Sequence, residues 1–191
     1  FYIDKYEVTS KQYKAFMSAT GHTPPQSWLG GAYPEGEGNH PINYVSWFDG
    51  SAYCKWAGKR LPTEEEWEKA ARGPNGNKYP WGNEFYENKA NLSEANTSPV
   101  GKYKSDKSYY GVYDMGGNVM EWVDAWYEPY PGSKANNKDF GKKYRILRGG
   151  SGSTAGHYVL SKIFSRSTYR YYDAPSGVGE DGGFRCAADE I

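Results

Sequence analysis

Every strong helix signal in this 191-residue chain lies before residue 74; the remainder is a series of short apolar pieces cut apart by Gly, Asn, Asp and Pro. That asymmetry confines the chain to an α+β domain, loop-rich, with helices mainly N-terminal and irregular β after them. A βαβ sheet would need helices and strands to alternate. Three helix starts stand out. Thr9-Ser10-Lys11-Gln12 has capping-box spacing, Tyr13, Phe16 and Met17 share one face, and Gly21 ends the segment. Residues 45–58 form a second helix that Ser46 is placed to cap. There Phe48, Ala52 and Trp56 fall at i, i+4, i+8, with Trp47, Tyr53, Cys54 and Ala57 on other sides, which predicts burial on more than one face. Thr63, with Glu66 three residues on and carboxylates at Glu64 and Glu65, starts the third helix; Trp67, Ala70 and Ala71 mark its inward side up to Gly73-Pro74. Residues 1–8 alternate and read as a strand, and residues 21–40, holding Pro24, Pro25 and Pro34, read as a long loop. Later strand candidates are residues 111–113, 121–127, 144–148 and 183–187.

Length fits a single domain over residues 1–191. Tyr (19), Trp (7) and Phe (7) supply much of the apolar content and Gly is frequent (24), which suits a loop-rich fold with Tyr-lined surfaces rather than a helical bundle. Basic and acidic residues balance at 23 each, so no global field favours nucleic acid or an anionic membrane. A mean hydropathy of −0.91 is low, yet the seven Trp and recurrent apolar segments argue for a packed core rather than disorder. No apolar run approaches the ~20 residues needed to span a bilayer. The chain opens at Phe1, which reads as a trimmed or mature domain, so the lack of a targeting signal says nothing of its destination.

Several stretches, in order, resemble the sulfatase-modifying-factor family, the formylglycine-generating enzyme domain. They are residues 2–9 (YIDKYEVT), 40–47 (HPINYVSW), 57–67 (AGKRLPTEEEW), 79–82 (YPWG), 116–122 (GGNVMEW), 147–151 (LRGGS) and 183–186 (GFRC). The resemblance covers nearly the whole chain and implies a C-type-lectin-like fold; function has to be argued from the site.

In enzymes of the family, Arg-Gly-Gly-Ser leads into a cysteine pair that binds copper and oxidises a substrate cysteine to formylglycine. The matching positions here are Thr154 and Val159, and Met120 replaces a tryptophan of the family pattern. Neither Thr nor Val supplies the thiolate such chemistry needs, so copper is not expected. The resemblance also implies a disulfide between Cys54 and Cys186, the alternative being two buried free thiols; the bond would point to an extracytoplasmic location, periplasmic, cell-surface or secreted. It implies a calcium site formed by the Asp114 and Glu121 carboxylates and the Gly117 and Val119 carbonyls, where the plain reading is a Gly turn with a capping Asp and a salt-bridged Glu. A second calcium site would use Asn91 and the Leu92 carbonyl, its other ligands falling where the chain is shortened. Along the family's substrate groove the resemblance places Ser151, His157, Arg166, Tyr169, Arg170, Tyr171 and Tyr172, residue types that suit a protein, peptide or glycan ligand; Tyr packing beneath loops is the other reading.

His22, His40 and His157 are too scattered for a zinc site, Asn91-Leu92-Ser93 fits a glycosylation sequon, and residues 150–155 match a dinucleotide fingerprint only by chance, lacking a βαβ setting. The expectation is therefore a binding or structural module, derived from an enzyme scaffold of the kind found in bacterial surface and secretion proteins. The alternative is a metal-dependent oxidoreductase or modifying enzyme that works without the cysteine pair. Calcium-dependent sugar binding ranks last, since the Glu-Pro-Asn and Gln-Pro-Asp signatures are absent from the sequence.

Overall fold

The computed structural model describes residues 1–152 and 157–190. The three helix starts fold as their sequences dictate. Helix α1 (Ser10–Thr20) is capped by Thr9, whose side chain accepts from the Gln12 N–H while Gln12 reaches back, and Gly21 closes it in the left-handed conformation. Helix α2 (Trp47–Trp56) has the same box from Ser46 and Asp49, and α3 (Glu64–Arg72) from Thr63 and Glu66. Each box satisfies two backbone donors that a bare helix end leaves without partners.

Strands β2 (Met120–Trp126) and β3 (Arg145–Arg148) form the centre of a four-stranded sheet, flanked by β4 (Tyr171–Asp173) and β5 (Gly182–Gly183) in the order β4-β3-β2-β5. The β2–β3 and β3–β4 pairs are antiparallel; β2 and β5 run parallel, with Met120 opposite Gly182. A separate ribbon pairs β1 (Tyr2–Ile3) with β6 (Ala187–Ala188), tying the two ends of the chain together. Neighbours along a strand point to opposite faces. Trp122 and Leu147 accordingly join the aromatic core under α1 and α2, while Val123 and Ile146 join Trp67, Ala70, Ala71 and Met115 under α3. The central strands are thus buried on both faces. Cys54 of α2 is disulfide-bonded to Cys186, 132 residues away, with Cα atoms 5.6 Å apart.

Four expectations are corrected. The first strand is only Tyr2–Ile3, because Glu7 and Val8 are both buried: the Glu7 carboxylate accepts from Asn118 Nδ2 and the Val119 N–H, which overrides the alternation. Helix α2 is buried on one side, through Gly50, Tyr53 and Cys54, whereas Phe48 and Trp56 are 57% and 45% exposed. The disulfide fixes its rotation, and a side chain at Gly50 would press against Phe184 at 3.1 Å. Residues 111–113 make an isolated bridge, Lys107 to Tyr113, rather than a strand, and 183–187 divides between two sheets. A fourth helix, α4 (Tyr158–Phe164), stands where the sequence carries no helix signal; His157 at its start provides no side-chain cap.

Candidate functional site

The turn Gly116-Gly117-Asn118 leads into β2 and explains why glycines stand there. A Cβ on Gly117 would lie 2.6 Å from the Asn91 carbonyl oxygen. Behind this turn the fold collects four buried carboxylates, Glu7, Asp106, Asp114 and Glu121, against one buried guanidinium, Arg185. Glu121 accepts from Arg185 Nε (2.7 Å) and Trp67 Nε1 (2.9 Å) on one oxygen and from Arg185 Nη2 (2.7 Å) on the other. Asp114 accepts from the Gly101 N–H, and both Asp106 oxygens accept from the Gly116 N–H. Burial pushes the Asp114 carboxyl up to about 6, against the Gly101 hydrogen bond and the charge of Arg185. Burial, then the charge of Asp114, holds Glu7 and Asp106 well above the ordinary carboxylate range. Burial alone would lower Arg185, but the charge and hydrogen bonds of Glu121 outweigh it, so it stays charged. One guanidinium does not balance four carboxyls, so in metal-free protein part of the cluster is pushed toward its protonated form.

Asp114, Gly117, Val119 and Glu121 all belong to this buried centre. Among the described residues no three His, Cys, Asp or Glu side chains converge as a metal-binding group, so a cation there has to draw on backbone carbonyls as well. Asn91 and Leu92 are buried alongside. Asn91 Nδ2 donates to the Asn96 carbonyl (2.8 Å) and Asn118 Oδ1 (3.1 Å), while Asn91 Oδ1 is buried without any partner. A glycan on Asn91 Nδ2, buried and already engaged in two hydrogen bonds, would have no room in this fold, which argues against the sequon reading.

Next to this centre opens a cavity of about 190 Å³ beside Gly152. Its lining includes Trp28, Glu37, Asn43, Tyr44, Asn96, Asn118, Glu180 and Asp181, with three carboxylates and, among the described residues, no Lys, Arg or His. Ser151, itself buried, hydrogen-bonds through its hydroxyl to Asp181 Oδ1 at 2.8 Å, and Tyr44 OH donates to Glu180. Of the four described non-glycine residues with positive φ, three line this cavity: Tyr44 (54°), Ala95 (58°) and Asn118 (73°). Left-handed backbone outside glycine carries strain, and such strain concentrates at binding sites.

The expected groove residues divide between places. Ser151 underlies the acidic cavity, whose lining contains none of His157, Arg166, Tyr169, Arg170, Tyr171 or Tyr172. Arg170 instead bonds Glu64 (3.0 Å) and the Glu128 carbonyl, with its guanidinium 4.3 Å from the Tyr130 ring centre. Tyr172 stacks on Tyr127 at 3.9 Å and donates to Asp139, and Tyr169 stacks on Phe164. Arg166, Tyr171 and His157 are exposed. Val159 is 66% exposed on α4, and Thr154 lies outside the described residues. The histidines sit apart, His22 on Asp49 and His40 on Thr97. Sequence reasoning missed Glu7, Asp106, Glu37, Glu180 and Asp181; the only available signal was the acidic pair directly before GGFRC.

The fold and its glycine-turn centre define a class, a C-type-lectin-like domain of the formylglycine-generating enzyme type. The chain belongs to the family described as sulfatase-modifying factor enzyme 1-like domain, which matches residues 1–190. It is 35% identical over 211 residues to the serine/threonine-protein kinase Pkn1 of Chlamydia trachomatis, covering 99% of this chain and 33% of Pkn1. It is 38% identical over 167 residues to the inactive C-alpha-formylglycine-generating enzyme 2 of Mus musculus, covering 78% of this chain and 49% of that protein. The chain thus spans a third to a half of the length of these relatives. PvdO of Pseudomonas aeruginosa superposes with a TM-score of 0.75 at 31% identity, covering 96% of this chain and 78% of PvdO.

Proposed function

We propose that this domain is a non-catalytic binding module whose ligand seat is the acidic cavity beside Ser151. One observation carries the reading: the chain has two cysteines, and both are fully buried in the Cys54–Cys186 disulfide. With Thr154 and Val159 at the positions of the family's cysteine pair, no thiol is left to ligate copper or attack a substrate. The likeness to an inactive member of the family supports the same reading. The cavity's charge supports a ligand presenting a cationic group, such as a basic segment of a protein or peptide.

Calcium belongs to this proposal as a structural ion. Glu7, Asp106, Asp114 and Glu121 crowd four buried carboxyls against one guanidinium, a divalent cation would let them ionise, and the orphan Asn91 Oδ1 is an oxygen in need of a partner. Asp114 and Glu121 with the Gly117 and Val119 carbonyls would hold one ion, and Asn91 with the Leu92 carbonyl would contribute to a second. Glu121 keeps lone-pair capacity for this because its Oε1 accepts only from Arg185 among the described contacts. Bound calcium would stiffen the turn that forms one wall of the cavity. The disulfide supports placing the domain in an oxidising, extracytoplasmic compartment.

Calorimetric titration with Lys- and Arg-containing peptides against their acidic counterparts tests the ligand seat. Basic peptides should bind and lose affinity about tenfold in Glu180→Gln/Asp181→Asn, roughly one charge pair's contribution. Equal binding of acidic peptides, or no change in the variant, would dismiss the cavity as the seat.

A further inference from the structure

A second charged feature lies among residues that take no part in the acidic cavity. Lys5, Lys104 and Lys107 place their ammonium groups 5.5, 5.7 and 5.9 Å from the centre of one ring, that of Tyr113. Lys5 also sits 5.4 Å from the Tyr6 ring, which packs against Tyr113 at 5.4 Å. The arrangement is set by backbone rather than by chance meetings of side chains. The Tyr113 N–H donates to the Lys5 carbonyl at 2.9 Å, and Lys107 forms the β-bridge opposite Tyr113.

Neighbouring lysines behave differently. Lys59 pairs with Asp4 and Lys102 with Glu94, whereas no carboxylate among the described residues pairs with Lys5, Lys104 or Lys107. Asp114, whose carboxyl feels the charge of Lys104, is 3% exposed and already accepts from Gly101. All three lysines are exposed, so on a chain of zero net charge this patch holds unneutralised positive charge focused on one point. Like charges held together repel unless an anion comes between them. The half-buried tyrosines offset part of that repulsion by cation–π attraction and hold the patch together.

We propose that Lys5, Lys104 and Lys107 around Tyr113 form a binding site for a phosphate or sulfate ester group. Ammonium groups are compact point charges with several donors each, which suits a tetrahedral anion approached from more than one side. A nucleic acid would need a longer basic stripe than three lysines provide. The site shares no residue with the cavity beside Ser151 and uses none of the proposed calcium ligands, although Tyr113 directly precedes Asp114.

The test is NMR of protein carrying 13C-labelled lysine, titrated with inorganic pyrophosphate at ~20 mM salt, where screening is weak. A parallel arm measures co-sedimentation with phosphatidylglycerol against phosphatidylcholine vesicles. Saturable shifts confined to three lysine signals, weakened about tenfold in Lys5→Gln/Lys104→Gln/Lys107→Gln and kept in Lys102→Gln, support a soluble ester. Vesicle binding lost in the triple variant, without a response to pyrophosphate, supports a lipid headgroup as the ester's source. Lys5, Lys102, Lys104 and Lys107 are all exposed, and an unchanged near-ultraviolet circular dichroism spectrum verifies folding of each variant. Linear shifts shared by every lysine together with vesicle binding indifferent to the substitutions, or no response in either arm, overturn the proposal.

Discussion

Asp114 shows how one residue couples charge, burial and a proposed metal. Its carboxyl is pushed up to about 6 because it is buried near Glu121, and Arg185 serves Glu121 first. Replacing it relieves repulsion in metal-free protein but removes a ligand where calcium is present. Asp114→Ala should therefore lower the melting temperature in calcium and not in chelator, each kcal/mol appearing as ~2–4 °C. Differential scanning calorimetry in the two buffers reads this directly; equal loss in both excludes ligation there. Asp114 and Glu121 were legible because a resemblance pointed to their turn. Glu7 was not, since alternation assigns it to the solvent side, and Asp106 was not, since it stands in a run (KYKSDK) that reads as a solvated face.

Among the elements, the capped helices were readable almost residue by residue, because a capping box is a local device that tertiary packing seldom overrides. The rotation of α2 was not. Its aromatic residues occupy more of the circumference than the core covers, and which side turns inward is decided by distant partners: Cys186, Phe184 and, on α1, Tyr13 and Phe16. Tyr53→Ala should accordingly cost ~3–5 kcal/mol in urea unfolding, while Phe48→Ser stays within ~0.5 kcal/mol. Similar costs for both would place the inward face elsewhere. Helix α4 escaped notice because YVLSKIF has no capping residue and carries β-branched side chains.

The start of α3 also sets an acid limit. Two hydrogen bonds from Arg60 hold the Glu66 carboxyl below its ordinary value, and the Thr63 N–H adds to them. A carboxyl whose folded pKa is depressed binds fewer protons folded than unfolded. Its contribution is present above the unfolded pKa and is lost as pH falls through the folded one. Thermal melts from pH 5 downward should fall less steeply in Glu66→Gln than in the parent, and parallel profiles would contradict that.

On the scale of the molecule, the β1–β6 ribbon and the Cys54–Cys186 bond join the ends of the chain to α2. Closing a loop of 132 residues contributes ~4–5 kcal/mol in the chain-entropy model, so Cys54→Ala/Cys186→Ala should lose stability on that order. Non-reducing peptide mass spectrometry should recover the linked pair, whereas alkylation of both thiols in native protein would rule the bond out. Fold class and the disulfide were legible through motifs spread along the chain. The acidic cavity was not, because Glu37, Asn96 and Asp181 come from loops separated by scores of residues, and no local pattern brings them together.

Central to the proposed function is the absence of any available thiol. Purified domain, loaded with Cu(I) under oxygen, is incubated with a Cys-x-Pro-x-Arg peptide and the peptide mass is read by mass spectrometry. The expected result is a peptide still carrying its cysteine thiol or its ordinary disulfide, with no aldehyde; conversion of that cysteine to formylglycine, repeated with each catalytic turnover, would contradict the reading at its root.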